Sequence, residues 1–197
     1  AFDLYIKQCY LDNLLRGGYP EILGEGEGRK AVHLYSRKHG DPERDYNFFT
    51  TAGEYYSQGN GNFRDVCQNR RNDVLFRPEV GDADVYTVLS LIQMDGYNPL
   101  EIRPVSFVLP GERMNEALRL MKARVDAPEE VLRSLMIKPF TPGSLCRALA
   151  SRGLAVSGNL RGLVSGLVSL SDQRIEAGFG EGCWSDHFTY CLDLVDA

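Results

Sequence analysis

The stretch Gly111-Glu-Arg-Met-Asn-Glu-Ala-Leu-Arg-Leu-Met-Lys-Ala-Arg-Val125 reads as one helix. Pro128-Glu-Glu-Val-Leu-Arg-Ser-Leu-Met-Ile137 reads as a second, and Thr141-Pro-Gly-Ser-Leu-Cys-Arg-Ala-Leu-Ala-Ser151 as a third. Their apolar residues recur at the helical period. Thr141-Pro142 offers a capping side chain followed by proline at the first helical position, where a missing N–H costs nothing. Three helices in succession predict a mainly α fold.

The same reading extends outward in both directions. Residues 101–109 alternate loosely (Ile102, Val105, Phe107, Leu109) and predict a short extended segment. Ahead of them, Asp82 or Asp84 can cap a helix carrying Val85, Val88, Leu89, Ile92 and Gln93, which Gly96 ends. Residues 159–177 suggest a further helix, weakened by Gly162 and Gly166. From Asp186 onward, Phe188, Cys191, Leu192 and Val195 lie on one helical face. At the other end, Leu4, Ile6, Tyr10, Leu11, Leu14 and Leu15 form a helical stripe, stopped by Gly17-Gly18 and Pro20. Residues 24–29 read as a flexible linker. Their glycines (Gly24, Gly26, Gly28) resemble a dinucleotide fingerprint only superficially, since no strand is expected before them. Residues 30–39 fit helix or strand. Helices joined by long polar loops predict a single domain over residues 1–197, built as helical hairpins that close into a toroid.

Composition narrows the function. A net charge of −5 argues against nucleic acid as a partner, because no basic excess is present to neutralise phosphates. No segment approaches the roughly 18 apolar residues needed to cross a bilayer, so a membrane role is not expected. The five cysteines are scattered without a CxxC pair, which disfavours a zinc site. Reduced thiols in a cytoplasmic protein, with no bound metal or cofactor, are the expectation.

Two constellations carry chemistry. The first is Gln58-Gly-Asn-Gly-Asn-Phe-Arg-Asp-Val-Cys-Gln-Asn-Arg-Arg71. Planar polar groups that fork onto vicinal hydroxyls, with aromatic faces nearby, suit a sugar. Gly59 and Gly61 would let the backbone approach a ligand. A polar, salt-bridged loop leading into a helix fits the same residues. The second is Glu181-Gly-Cys-Trp-Ser-Asp-His187, in which a Trp beside an Asp could form a sugar platform next to a general acid. An Asp capping the last helix beside a core Trp fits equally. Asp45, within Arg44-Asp45-Tyr46-Asn47, belongs either to a second sugar-binding rim or to a solvated charge run. His33 lies in an apolar stretch and reads as structural. A Ser-His-Asp hydrolase is disfavoured, since no GxSxG elbow occurs.

Arg64-Asp65-x-x-Gln68 resembles the signature that lines the non-reducing sugar subsite in glycoside hydrolase family 94, the cellobiose phosphorylase type. Trp184-Ser185-Asp186 resembles the Trp-Asn-Asp signature of the same enzymes. Tyr46-Asn47-Phe48-Phe49 and the run from Gly61 through Asn69 to Arg71 look closer to the related β-1,3-oligoglucan phosphorylases, family 149. Positions 65 and 186 stand 121 apart, in the order and spacing of that family. Ser185 replaces the usual Asn, and Cys67 sits inside the first motif.

The resemblance implies part of an (α/α)6 barrel with long polar active-site loops. It implies inverting phosphorolysis of β-glucosidic bonds, with inorganic phosphate as co-substrate and a β-linked gluco-oligosaccharide as partner. Asp186 would be the general acid. Arg64, Asp65, Gln68, Asn69, Trp184 and Asp45 would bind sugar. An inverting hydrolase, with Glu176 or Glu181 as base, and a non-catalytic carbohydrate-binding or helical interaction module are the competing expectations. Only 11 residues follow Asp186, whereas the family's phosphate ligands lie beyond it. The chain is therefore expected to be a fragment that needs the rest of an enzyme or an oligomer partner, and alone to expose apolar helix faces.

Overall fold

The structure, a computed structural model, describes residues 2, 3, 6, 18–34, 55–180 and 185–197. Helices dominate it, with three small sheets between them. It divides into two compact units. One comprises residues 1–21, 31–104 and 175–197, and the other residues 22–30 and 105–174.

The second unit holds the helices read first from the sequence: α4 (Met114–Lys122), α5 (Glu129–Met136), α6 (Pro142–Ser151) and α7 (Leu160–Ser169). Each turns an apolar stripe inward. Ala117, Leu118 and Met121 come from α4, Leu132, Leu135 and Met136 from α5, Leu145 and Leu149 from α6, and Leu163, Leu167 and Val168 from α7. Burial of each such leucine contributes about 1.5–3 kcal/mol. Thr141 caps α6 as its sequence suggests: its Oγ1 accepts from the Ser144 N–H at 3.0 Å, and its own N–H donates to Ser144 Oγ at 2.9 Å. The extended segment at 101–109 is two strands, β4 (Glu101–Ile102) and β5 (Ser106–Val108). β5 pairs antiparallel with β6 (Asp172–Arg174), Phe107 opposite Gln173.

Three sequence expectations change here. The helix read over residues 159–177 ends at Ser169, and residues 172–174 and 177–178 are strands. Gly166 has a packing role within the helix that does form. A Cβ at that position would come 2.6 Å from Leu120 Cδ2, so the Leu120 side chain of α4 packs into the space the missing side chain leaves on α7. Residues 24–29 are not a linker. A strand, β1 (Tyr19–Leu23), does precede the glycines, and β2 (Lys30–Leu34) pairs with it after a single 3-10 turn. A hairpin, not a strand-to-helix crossover, follows the strand, so no dinucleotide fingerprint forms. The turn is fastened to α7, with the Gly24 and Glu25 N–H groups donating to Ser165 Oγ at 2.7 Å and Ser169 Oγ at 2.9 Å.

The first unit contains α1 (Phe63–Arg70), α2 (Asp73–Phe76), α3 (Ala83–Ser90) and α8 (Ser185–Asp196). A three-stranded antiparallel sheet runs in the order β3 (Gly61–Asn62), β4, β7 (Ala177–Gly178). α3 stops at Ser90, short of Gly96. Beyond it the Leu91 and Ile92 N–H groups donate three residues back, to Val88 and Leu89, and the last turn tightens out of the α pattern. The core of this unit is Phe63, Val66, Cys67, Val88, Ile102, Cys191 and Leu194. On the outer side of α8, Phe188, Leu192 and Val195 form an exposed apolar stripe, Leu192 being 64% exposed. No helix among the described residues is long and apolar enough to cross a membrane.

Candidate functional site

α1 begins at Phe63 because the Asn62 side chain accepts from the Arg64 N–H at 3.2 Å, and the Phe63 N–H donates to Leu100 O at 3.0 Å, tying the helix start to the small sheet. One face of α1 carries Phe63, Val66, Cys67 and Arg70, all buried. Arg64 and Asn69, half-buried, and Gln68, exposed, lie on the opposite side. Asp65 belongs to the same helix, but its side chain lies outside the described residues. Gly61 does not leave room for a ligand: a Cβ there would run into Val66 Cγ2 of the next helix, so its own fold fills that space. Phe63 is wholly buried and belongs to the core, so it offers no face to a sugar.

α8 packs directly on α1. The Phe63 and His187 rings stand 5.7 Å apart, and Arg71 Nη1 reaches Asp193 Oδ2 at 3.6 Å. Contacts therefore advance along both helices in the same sense, and the two run parallel. Arg64 and Asp186 are each the second residue of their helix, so they sit at the same end of the pair. Asp186 is exposed, while its neighbour His187 is buried. Trp184, Asp45 and Glu181 lie outside the described residues. A cleft of about 580 Å³ is lined by Asp126, Pro128, Val131, Ser134, Arg152 and Leu154, and none of the described candidate residues is among its lining.

One cluster has no local signal in the sequence. His33 from β2, Arg70 from α1, Asp73 from α2 and Asp84 from α3 meet in the interior, each under 9% exposed. His33 Nε2 lies 3.0 Å from Asp73 Oδ2 and 3.0 Å from Asp84 Oδ1, and Arg70 Nη1 lies 3.7 Å from Asp84. The hydrogen bond runs between His33 and Asp73. Asp84 is held by ion-pair proximity, neither oxygen accepting a well-directed hydrogen bond. The His33, Asp73 and Asp84 donor atoms lie within 4.8 Å of one another, as they would around a divalent cation. With His33 protonated, however, the imidazolium and guanidinium already balance the two carboxylates, and we read the cluster as an ion network. His33 is thus structural, but through charge rather than apolar packing.

Burial works against the His33 cation, as does Arg70, yet the two carboxylates outweigh both and raise its pKa above the ordinary value. Burial also opposes the Asp84 charge, but His33 and Arg70 hold its carboxyl well below the usual range. For Asp73 burial prevails over the His33 hydrogen bond, and its value is raised. His33 therefore adds stability that is complete below about pH 6.5, its unfolded value, and lost as pH rises through the raised folded value. Asp84 adds stability that is complete above about pH 3.9 and lost as pH falls through its depressed value. Asp73 runs with His33: its contribution belongs to acid and disappears as pH rises through its raised value. Stability in urea is expected to fall as pH rises above about 6.5 and through the raised His33 value, and His33→Gln to remove most of that slope. A level or rising profile in the native protein would contradict a protonated His33.

No protein-family model, curated protein or solved structure matches the chain.

Proposed function

We propose that this chain carries the sugar-reacting part of an inverting glycoside phosphorylase, built on part of an (α/α)6 barrel and acting in the cytoplasm. The observation that supports this reading is the parallel packing of α1 on α8. It brings Arg64, from the Arg-Asp-x-x-Gln motif, and Asp186, from the Trp-x-Asp motif, to one end of a helix pair. The exposed stripe of Phe188, Leu192 and Val195 on α8 is what a further helix of a toroid would cover.

In this reading a β-linked gluco-oligosaccharide lies across the N-terminal ends of α1 and α8. Asp186 gives its proton to the glycosidic oxygen as the bond to the anomeric carbon breaks. Inorganic phosphate attacks that carbon from the opposite face, so no second carboxylate is needed as base. The products are α-glucose 1-phosphate and the shortened oligosaccharide. Arg64, Asp65, Gln68 and Asn69 hold hydroxyls of the reacting sugar, Trp184 walls the acid, and Asp45 contributes to the rim.

Incubation with β-glucan oligomers, with and without phosphate, tests the proposal. Sugar phosphate formed only with phosphate present supports it. Sugar released without phosphate indicates a hydrolase, and binding without turnover indicates a binding module. Within the same reading, Asp65→Ala is expected to weaken oligosaccharide binding by about 1.5–3 kcal/mol, the usual worth of a hydrogen bond to a charged group. Unchanged affinity by calorimetry would assign the motif to a surface role on α1.

A further inference from the structure

Cys67 interrupts the first motif and takes no part in the proposed chemistry. Its position on α1 explains it. Phe63 meets His187 one turn before it, and Arg71 meets Asp193 one turn after it. Four residues on from the first contact, along two parallel helices, Cys67 of α1 faces Cys191 of α8. Both belong to the same core cluster, at 0% and 4% exposure, and both are free thiols. The neighbouring Cys191 raises the Cys67 pKa, with burial adding to the rise, while the neighbouring Cys67 lowers that of Cys191 against the effect of burial.

We propose that Cys67 and Cys191 form a redox-sensitive pair, in which a small peroxide closes a disulfide between them and ties α1 to α8. Side chains that meet across two packed helices have only a short distance to travel to the S–S bond. Cys191, the more acidic of the two thiols, is the nucleophile: it gives up its proton and reacts as the thiolate. Its sulfur attacks one oxygen of hydrogen peroxide, the O–O bond breaks, and a Cys191 sulfenic acid and hydroxide form, the hydroxide taking up the proton that Cys191 released to become the first water. The Cys67 sulfur then attacks the Cys191 sulfur and water leaves. In sum two thiols and one peroxide give one disulfide and two waters, with two electrons passing from sulfur to oxygen. Burial favours a reagent of this size and makes the first step slow. The pair rests on the helix packing alone and stands whether or not the chain is a phosphorylase.

The native protein is treated with hydrogen peroxide in modest excess until half-buried Cys146 is oxidised, quenched with catalase, unfolded in an alkylating agent and digested without reductant. The expected product is a peptide pair joined through Cys67 and Cys191, two hydrogens lighter than its parts and separated by dithiothreitol. The oxidised protein should melt about 5–10 °C higher, because the bond closes a long loop in the unfolded chain. Cys67→Ala should lose that rise. Alkylation of both Cys67 and Cys191 as free thiols at the point where Cys146 is oxidised would overturn the proposal, as would either one joined to a different cysteine. The peptide map uses the native chain, so the outcome does not depend on the variant folding.

Discussion

Under the phosphorylase function proposed above, Asp186→Asn is expected to lower phosphorolysis by at least about 100-fold, the worth of a positioned general acid, while oligosaccharide affinity stays near that of the parent. The substitution keeps the shape of the side chain and its ability to accept hydrogen bonds, and removes only the acidic proton. The leaving sugar oxygen must then depart as an alkoxide. Asp186 sits in the first turn of α8 and is exposed, so the change leaves the packed face of His187, Cys191 and Leu194 untouched. A loss of rate can therefore be separated from a loss of fold. Initial rates of sugar phosphate formation and calorimetric binding, measured on the same preparation, provide the check. Activity within about tenfold of the parent would remove Asp186 from the role. Equal losses in rate and affinity would make it a binding residue instead.

Asp84→Ala is expected to destabilise the first unit by about 3–5 kcal/mol, the cost of leaving a buried charge without its partner. Asp84 is the counter-ion of Arg70 and shares His33 with Asp73. Its removal leaves the 6% exposed Arg70 guanidinium and His33 with Asp73 as the one remaining carboxylate of the cluster. The comparison is Arg71→Ala, which breaks the ion pair to Asp193 at 40% and 43% side-chain exposure. Water already screens that pair, so its loss should cost no more than about 1 kcal/mol. Urea unfolding of the two variants beside the parent measures both. Similar small losses in the two would mean that water reaches the His33 cluster and that its charges are not stored in the core.

The candidate site was legible in the sequence to a limited depth. Arg64, Gln68, Asn69 and Asp186 could be named from motifs, because a motif is a short run of residue types. Which faces of α1 and α8 they occupy followed only from packing. The aromatic and glycine features of the same run were misread: Phe63 and Gly61 serve the helix start and its core, not a ligand. Asp45 and Trp184 lie outside the described residues. The His33 network was invisible for a plain reason. His33, Arg70, Asp73 and Asp84 are spread over some fifty positions and four elements, and nothing local distinguishes them from solvated charges.

By itself the sequence determined the elements whose cause is local. The three helices between residues 111 and 151, and the Thr141 cap, follow from contacts three and four residues apart, which the chain carries wherever it folds. The tertiary structure decided the strand state of residues 30–34, the early stop of α3, the pairing of Cys67 with Cys191 and the burial of four ionisable groups together. Each of these depends on which distant surface removes water from a given side chain, and that is fixed only when the elements pack.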